Sequence, residues 1–323
     1  MTGVQTCALP IYIRVIDPDG GNETVLFTEV AHGGPFIWSP DGTKVAFTSY
    51  GGGKAGIWVS DLESLNARIL PGTEGAQTPF WSPDSKSLAY SAGNRMMRVD
   101  LNGGPSQVVC ESKTPVGSGI WIQNGEGTGE IYFGGLGSGP LQKVAAAGGI
   151  PTAVTRLEGA AFHTLPSLLP DGKTILYFVS GGDKTGMYAR RLDASIDDAP
   201  LKQIAQVQVG ATFAEAHNEA GGVLFFVRQA TLMAQPFDAK ALTLAGEPVP
   251  VVQQIGLGRA HAHFSVTSSG IMAYRIGAGP LTQLTVADRA GASLQKLGEP
   301  NKILTHSWSP DESQVAIFRS EGT

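Results

Sequence analysis

Gly137-Ser138-Gly139 is the nearest approach in this 323-residue chain to the G-x-S-x-G turn that presents a serine nucleophile, but Leu136 stands where the first glycine is required. Gly135-x-Gly137 begins like a dinucleotide-binding loop, yet Pro140 takes the place of the third glycine. There is no phosphate-cradling P-loop, and no H-x-D, D-F-G or V-A-I-K element for phosphoryl transfer. Asp17-Pro18-Asp19-Gly20 starts like a calcium loop, but Gly21 fills the fifth position and no Glu falls at the twelfth, so it reads as a hairpin turn between outer strands. No catalytic residue, cofactor-binding residue or metal ligand is assigned. The chain is expected to bind rather than to catalyse, and no cofactor is implied.

The remaining chemistry-bearing residues follow the repeat described below. His32, His163, His261 and His306 fall in links between repeats or at the starts of first strands, and His263 follows close behind. A ring of imidazoles could bind metal or sense pH. Their similar offsets (His32 is eight before Pro40, His163 seven before Pro170) favour a repeated hydrogen-bonding role at each junction. Trp38, Trp81, Trp121 and Trp308 read as first-strand core residues rather than a stacking platform. Cys110 is the one cysteine outside the first eleven residues and leaves the redox compartment open.

What positions all of these is a returning tetrapeptide: Ser39-Pro40-Asp41-Gly42, Ser82-Pro83-Asp84-Ser85, Leu169-Pro170-Asp171-Gly172 and Ser309-Pro310-Asp311-Glu312. Weaker copies lie at Asn124, Asn218 and Ser268, and the spacings run from 41 to 50 residues. Pro fixes φ at a corner, Asp bonds its own backbone, and Gly accepts a positive φ. A repeat of this length, built from short apolar strands, is the signature of a β-propeller. The fold class is therefore all-β, with four-stranded antiparallel blades.

Units run over 36–71, 79–110, 119–155, 164–207, 212–255 and 262–298, with turns between third and fourth strands at Asp61, Asp100, Ala147, Asp193, Asp238 and Asp288. Two half-units remain. Residues 12–30 match strands three and four of a blade, and 304–319 match strands one and two. Either six whole blades and the two halves close as seven, the halves sharing one blade, or both ends are broken. Met1 to Ile11 fits nothing in the repeat and resembles the translation of a sequencing-library adapter, so the propeller domain is taken as 12–323. Both ends read as truncated, as in a metagenomic gene piece.

In an up-and-down blade the first and third turns share one face, while the second turn and the inter-blade link share the other. The first face carries the tight Pro-Asp turns. The second carries longer glycine-rich loops at 49–55, 134–140, 180–186 and 275–280, with links at 71–78, 111–118 and 256–261. Variable loops on a rigid scaffold are where binding concentrates, so this loop face is the expected recognition surface for a protein or small ligand. Charge reversal of Arg259 and Lys54 there is expected to weaken capture more than changes at Lys44 or Lys86 on the other face. Charged residues make up 16% and the net charge is −5, which gives no electrostatic case for nucleic acid. No apolar run is long enough to cross a bilayer.

The repeats resemble TolB-type, WD-like propellers. More narrowly, 36–319 is similar to the C-terminal propeller of acidobacterial-type membrane serine/threonine protein kinases. The carrying stretches are Leu70 to Ala76, Pro79 to Ser85, Ala145 to Pro151 and, most specific, Leu224 to Asp238 followed by Gly246-Glu247-Pro248-Val249-Pro250. In residue pattern, 224–238 is two strands with a tight Gln229-Ala230 turn. The resemblance implies a parent with a cytoplasmic kinase domain, one membrane span and this propeller on the extracytoplasmic side as a sensor domain. None of the kinase residues is in this chain, and Asn124 and Asn218 depart from the Pro-Asp pattern. The alternatives are a stand-alone periplasmic TolB-like scaffold and the gating propeller of a prolyl-oligopeptidase-type peptidase.

Overall fold

The computed structural model describes residues 11–16, 23–30, 33–49, 56–64, 66–123, 127, 129–157, 159, 162–196, 202–215, 221–255, 264–266, 272–275, 282–288 and 291–320. Their strands pair into successive four-stranded antiparallel sets. The first blade is Gly33–Trp38, Lys44–Ser49, Gly56–Asp61 and Ala67–Ile69. The second is Gln77–Trp81, Ser87–Ala92, Arg95–Asp100 and Gln107–Glu111. The third and fourth open on Val116–Ile122 and Phe162–Leu168, the fifth on Thr212–Glu215 and the sixth on Phe264–Val266.

The two half-units pair with one another in one sheet, consistent with a shared blade. Ile11–Ile16 pairs with Val315–Ser320 from Ile11↔Ser320 to Ile16↔Val315, and Glu23–Val30 completes the outer edge. A seventh blade thus takes two strands from each end of the chain. Ile11, the last residue of the adapter-like stretch, opens the first of these strands. Residues 1–10 lie outside the described residues.

Two details depart from the repeat. The fourth strand of the sixth blade and the first of the seventh are one continuous element, Ser293–Trp308. The outer edge of the fifth blade is split, because Thr243–Leu244 and Val249–Val252 both pair with Thr231–Asp238 around the Gly246-Glu247-Pro248 corner.

Each described Pro-Asp turn is closed by hydrogen bonds among its own residues, and the Asp41 N–H also donates to Ser85 Oγ in the turn of the next blade at 3.1 Å. Ser39 Oγ donates to Asp41 Oδ1 at 2.5 Å, the Thr43 N–H donates to the same oxygen at 3.0 Å, and the Lys44 N–H donates to Ser39 Oγ at 2.9 Å. Ser82 and Asp84 repeat the arrangement, and Asp171 builds it with Thr174. Gly42 and Gly172 sit at φ 71° and 65°; Ser85 and Glu312 occupy the same left-handed position at 59° and 62°.

The core lies between blades, so the inner strands are apolar on both faces. Val45 through Ser49 are buried, as are Thr174 through Val179. Leu176 and Phe178 pack on Leu224 and Phe226 across the fourth junction, and Leu284 and Val286 pack on Trp308 and Ile317 across the sixth. Burial of such side chains supplies about 1.5–3 kcal/mol each.

Candidate functional site

Backbone hydrogen bonds fix the two faces. On one, the third turn of a blade leans on its first: the Leu62 N–H donates to Thr43 O at 3.1 Å, Leu101 to Lys86 at 2.9 Å and Leu192 to Lys173 at 2.7 Å. On the other, second-to-third loops bond to inter-blade links: Ser112 to Asn94 at 2.7 Å, Leu136 to Pro115 at 2.7 Å, Ile255 to Ala230 at 2.9 Å. The tight-turn face repeats one solution, whereas the loop face changes from blade to blade. Its loops range from the two-residue turns at Gly93-Asn94 and Gln229-Ala230 to the wider corners around Leu136 and Gly182. Lys54, Arg259 and their loops lie outside the described residues.

The chemistry-bearing residues divide on this frame. His163 is buried, and its Nδ1 lies 2.7 Å from Thr155 Oγ1, which also accepts the Leu141 N–H at 2.9 Å. Its ring packs on Tyr177 at 5.4 Å. Thr73 plays the same capping part in the first blade, accepting the Ile57 N–H at 2.8 Å and donating to Leu70 O at 2.6 Å. His163 therefore braces a junction. His306 is buried within its first strand, while His32, His261 and His263 lie outside the described residues. Among the described residues no three His, Cys, Asp or Glu side chains converge to hold a metal ion.

Gly137-Ser138-Gly139 is an inter-blade strut: Gly139 O accepts the His163 N–H at 2.9 Å. Burial pushes the Cys110 thiol up to about 11, which removes thiolate character at neutral pH. The strands flanking Asp17 to Gly20 pair antiparallel as a hairpin requires, though the turn itself lies outside the described residues.

Trp38, Trp81 and Trp308 are buried core residues; Trp121 is half-buried. The sequence pattern did not disclose a second set of inter-blade ties. Arg98 Nη1 donates to Ala146 O at 3.2 Å and Lys202 Nζ to Ala241 O at 2.7 Å, each reaching a third turn of the next blade. These cations sit at ordinary strand positions, and only the three-dimensional offset between blades reveals their partners.

A cleft of about 870 Å³ opens on the loop face between the fourth and fifth blades. Its floor includes Phe226, Val207 and Leu244, and its rim carries Arg228 and Gln229. The Arg228 guanidinium lies 5.7 Å from the centre of the Phe226 ring. Gln229 and Ala230 form a two-residue turn with φ of 50° and 59°. Such a turn ordinarily uses Asn-Gly; with Cβ atoms present it costs roughly 1–2 kcal/mol per residue.

No family model matches the chain. Tol-Pal system protein TolB of Rhizorhabdus wittichii is 34% identical over 73 residues, 22% of this chain and 16% of that protein. The matched stretch is thus well under a fifth of the relative's length. Among solved structures, a putative TolB from Agrobacterium tumefaciens matches with TM-score 0.53 and 14% identity over 98% of this chain and 99% of that one. An oligogalacturonate lyase from Vibrio parahaemolyticus matches with TM-score 0.64 and 15% identity over 96% and 97%. A prolyl endopeptidase matches with TM-score 0.60 and 17% identity over 92% of this chain and 49% of that one. At these identities the structural matches establish the fold alone, a β-propeller, and the partial sequence match makes it TolB-like.

Proposed function

We propose that this chain is a non-catalytic binding propeller that engages a protein or small ligand through its loop face. The observation that carries the reading is the contrast between the faces: the Asp-closed turns repeat, while the loops opposite differ in length and composition. The partial match to TolB, a Tol-Pal system protein, supports a protein partner and an extracytoplasmic location. The similarity of Leu224 to Asp238 to kinase-linked propellers supports a role as the external sensor domain of a membrane serine/threonine kinase. Among the described residues no helix is long and apolar enough to cross a membrane.

Long-read sequencing across both ends of the gene tests this. An in-frame kinase catalytic loop and a hydrophobic span upstream support the sensor reading, and a secretion signal directly upstream replaces it with a free scaffold. A second reading rests on the prolyl endopeptidase match, in which this fold accounts for about half of a longer chain. A downstream G-x-S-x-G element in frame would establish that reading instead.

A further inference from the structure

We propose that the cleft between the fourth and fifth blades is a binding site for an acidic, extended peptide segment. This rests on the loop-face reading and names the partner chemistry of that face. The cleft, about 870 Å³, falls within the range of ligand sites, and among the described residues no carboxylate lines it. Arg228 is the one charged residue among its described lining, which stands out in a chain of net charge −5. The guanidinium makes no ion pair among the described residues and is held over Phe226, which leaves its donor edge free for a bidentate carboxylate.

The rest of the lining suits a polypeptide. Gln206, Gln208 and Gln229 are exposed on the walls, and each amide can donate and accept as a peptide backbone does. Gln235 donates its Nε2 to Gly246 O at 2.8 Å, which leaves its carbonyl oxygen as an acceptor. The cleft's aromatic ring, Phe226, is buried beneath Arg228, so it offers no stacking platform to an acidic sugar. The left-handed Gln229-Ala230 turn follows Arg228 directly and fixes the direction in which it leaves the strand. Strained turns kept at a rim are a mark of functional geometry.

The test is fluorescence anisotropy of the full chain with a fluorescein-labelled octapeptide of alternating glutamate and alanine. A lysine-alanine octapeptide and free N-acetylglutamate serve as comparison probes. The expected result is binding of the acidic peptide alone, weakened at least tenfold by Arg228→Gln and by an intermediate factor by Arg228→Lys, which keeps the charge but loses the fork. Added salt should weaken it further. Thermal unfolding of both variants should match the parent.

Equal binding of the basic peptide, or of free N-acetylglutamate, overturns the peptide site. If Lys113→Glu, on the loop face away from this cleft, weakens binding while Arg228→Gln does not, the loop-face reading stands and this cleft falls. If Lys86→Glu on the tight-turn face does the damage, both fall.

Discussion

Trp81 Nε1 donates to the Ile37 carbonyl at 3.2 Å, reaching from the second blade to the innermost strand of the first. Trp38 repeats the bond to Ser307 O at 3.1 Å across the junction between the seventh blade and the first. At Trp38 and Trp81 the indole therefore ties a blade to its predecessor, while the Ser and Asp beside it close the turn; Trp308 Nε1 is buried without such a partner among the described residues. Trp81→Phe keeps an apolar ring but leaves a part-buried carbonyl short of its donor. It should destabilise the fold by about 1–3 kcal/mol in chemical denaturation. A change below a few tenths of a kcal/mol would show that water serves that carbonyl as well.

The turn aspartates make the propeller acid-sensitive. At Asp84 and Asp311 the hydroxyls of Ser82 and Ser309 lead in holding the carboxyl below its usual range. At Asp41 and Asp171 partial burial works the other way, and hydrogen bonds from Ser39 and Thr43, or from Thr174 and the Lys173 N–H, outweigh it. Each folded value lies below the unfolded one of about 3.9, so the folded state binds protons more weakly. Their stabilisation is present above about pH 4 and is lost as pH falls through the folded values. Unfolding midpoints should hold level from neutrality to about pH 5 and then drop. Ser82→Ala should raise the Asp84 value, seen by carboxyl-carbon NMR, and shift the acid transition upward.

The left-handed turn position offers a matched pair of substitutions. Gly172 has φ 65°, and a methyl group added there would meet open space, with nothing within 4 Å. Gly172→Ala therefore isolates the backbone term and should cost about 1 kcal/mol. Glu312 holds the same conformation at φ 62°, and Glu312→Gly should recover a similar amount. If both substitutions move stability in the same direction, the turn geometry is not what sets their effect.

Much of this was legible in the sequence because the Pro-Asp turn is local: Ser39, Asp41 and Thr43 bond one another within five residues. The Gln229-Ala230 turn was readable for the same reason, as two strand-forming runs left only those residues between them. The indole ties span 44 and 269 residues, and the Arg98 and Lys202 ties span 48 and 39. Such contacts depend on how one blade is set against the next, which no local pattern encodes. Thr155 was invisible as the partner of His163 because its position after a fourth strand matters only once the next blade is placed. The cleft was hidden for the same reason, since its walls come from two blades.

Closure of the ring supplies the last prediction. Val315–Ser320 is paired on both sides, with Lys302 to Trp308 inside and Ile11–Ile16 outside. Val315, Ala316 and Ile317 are buried. A variant lacking residues 1–30 keeps the inner two strands of the seventh blade but bares the N–H and C=O groups of Val315–Ser320 as an open edge. Such edges pair with other chains. The variant should run as dimers or larger species in light scattering at concentrations where the full chain is monomeric, and its unfolding midpoint should fall. A monomeric variant with an unchanged midpoint would mean that the two strands from the N-terminal end add nothing to closure.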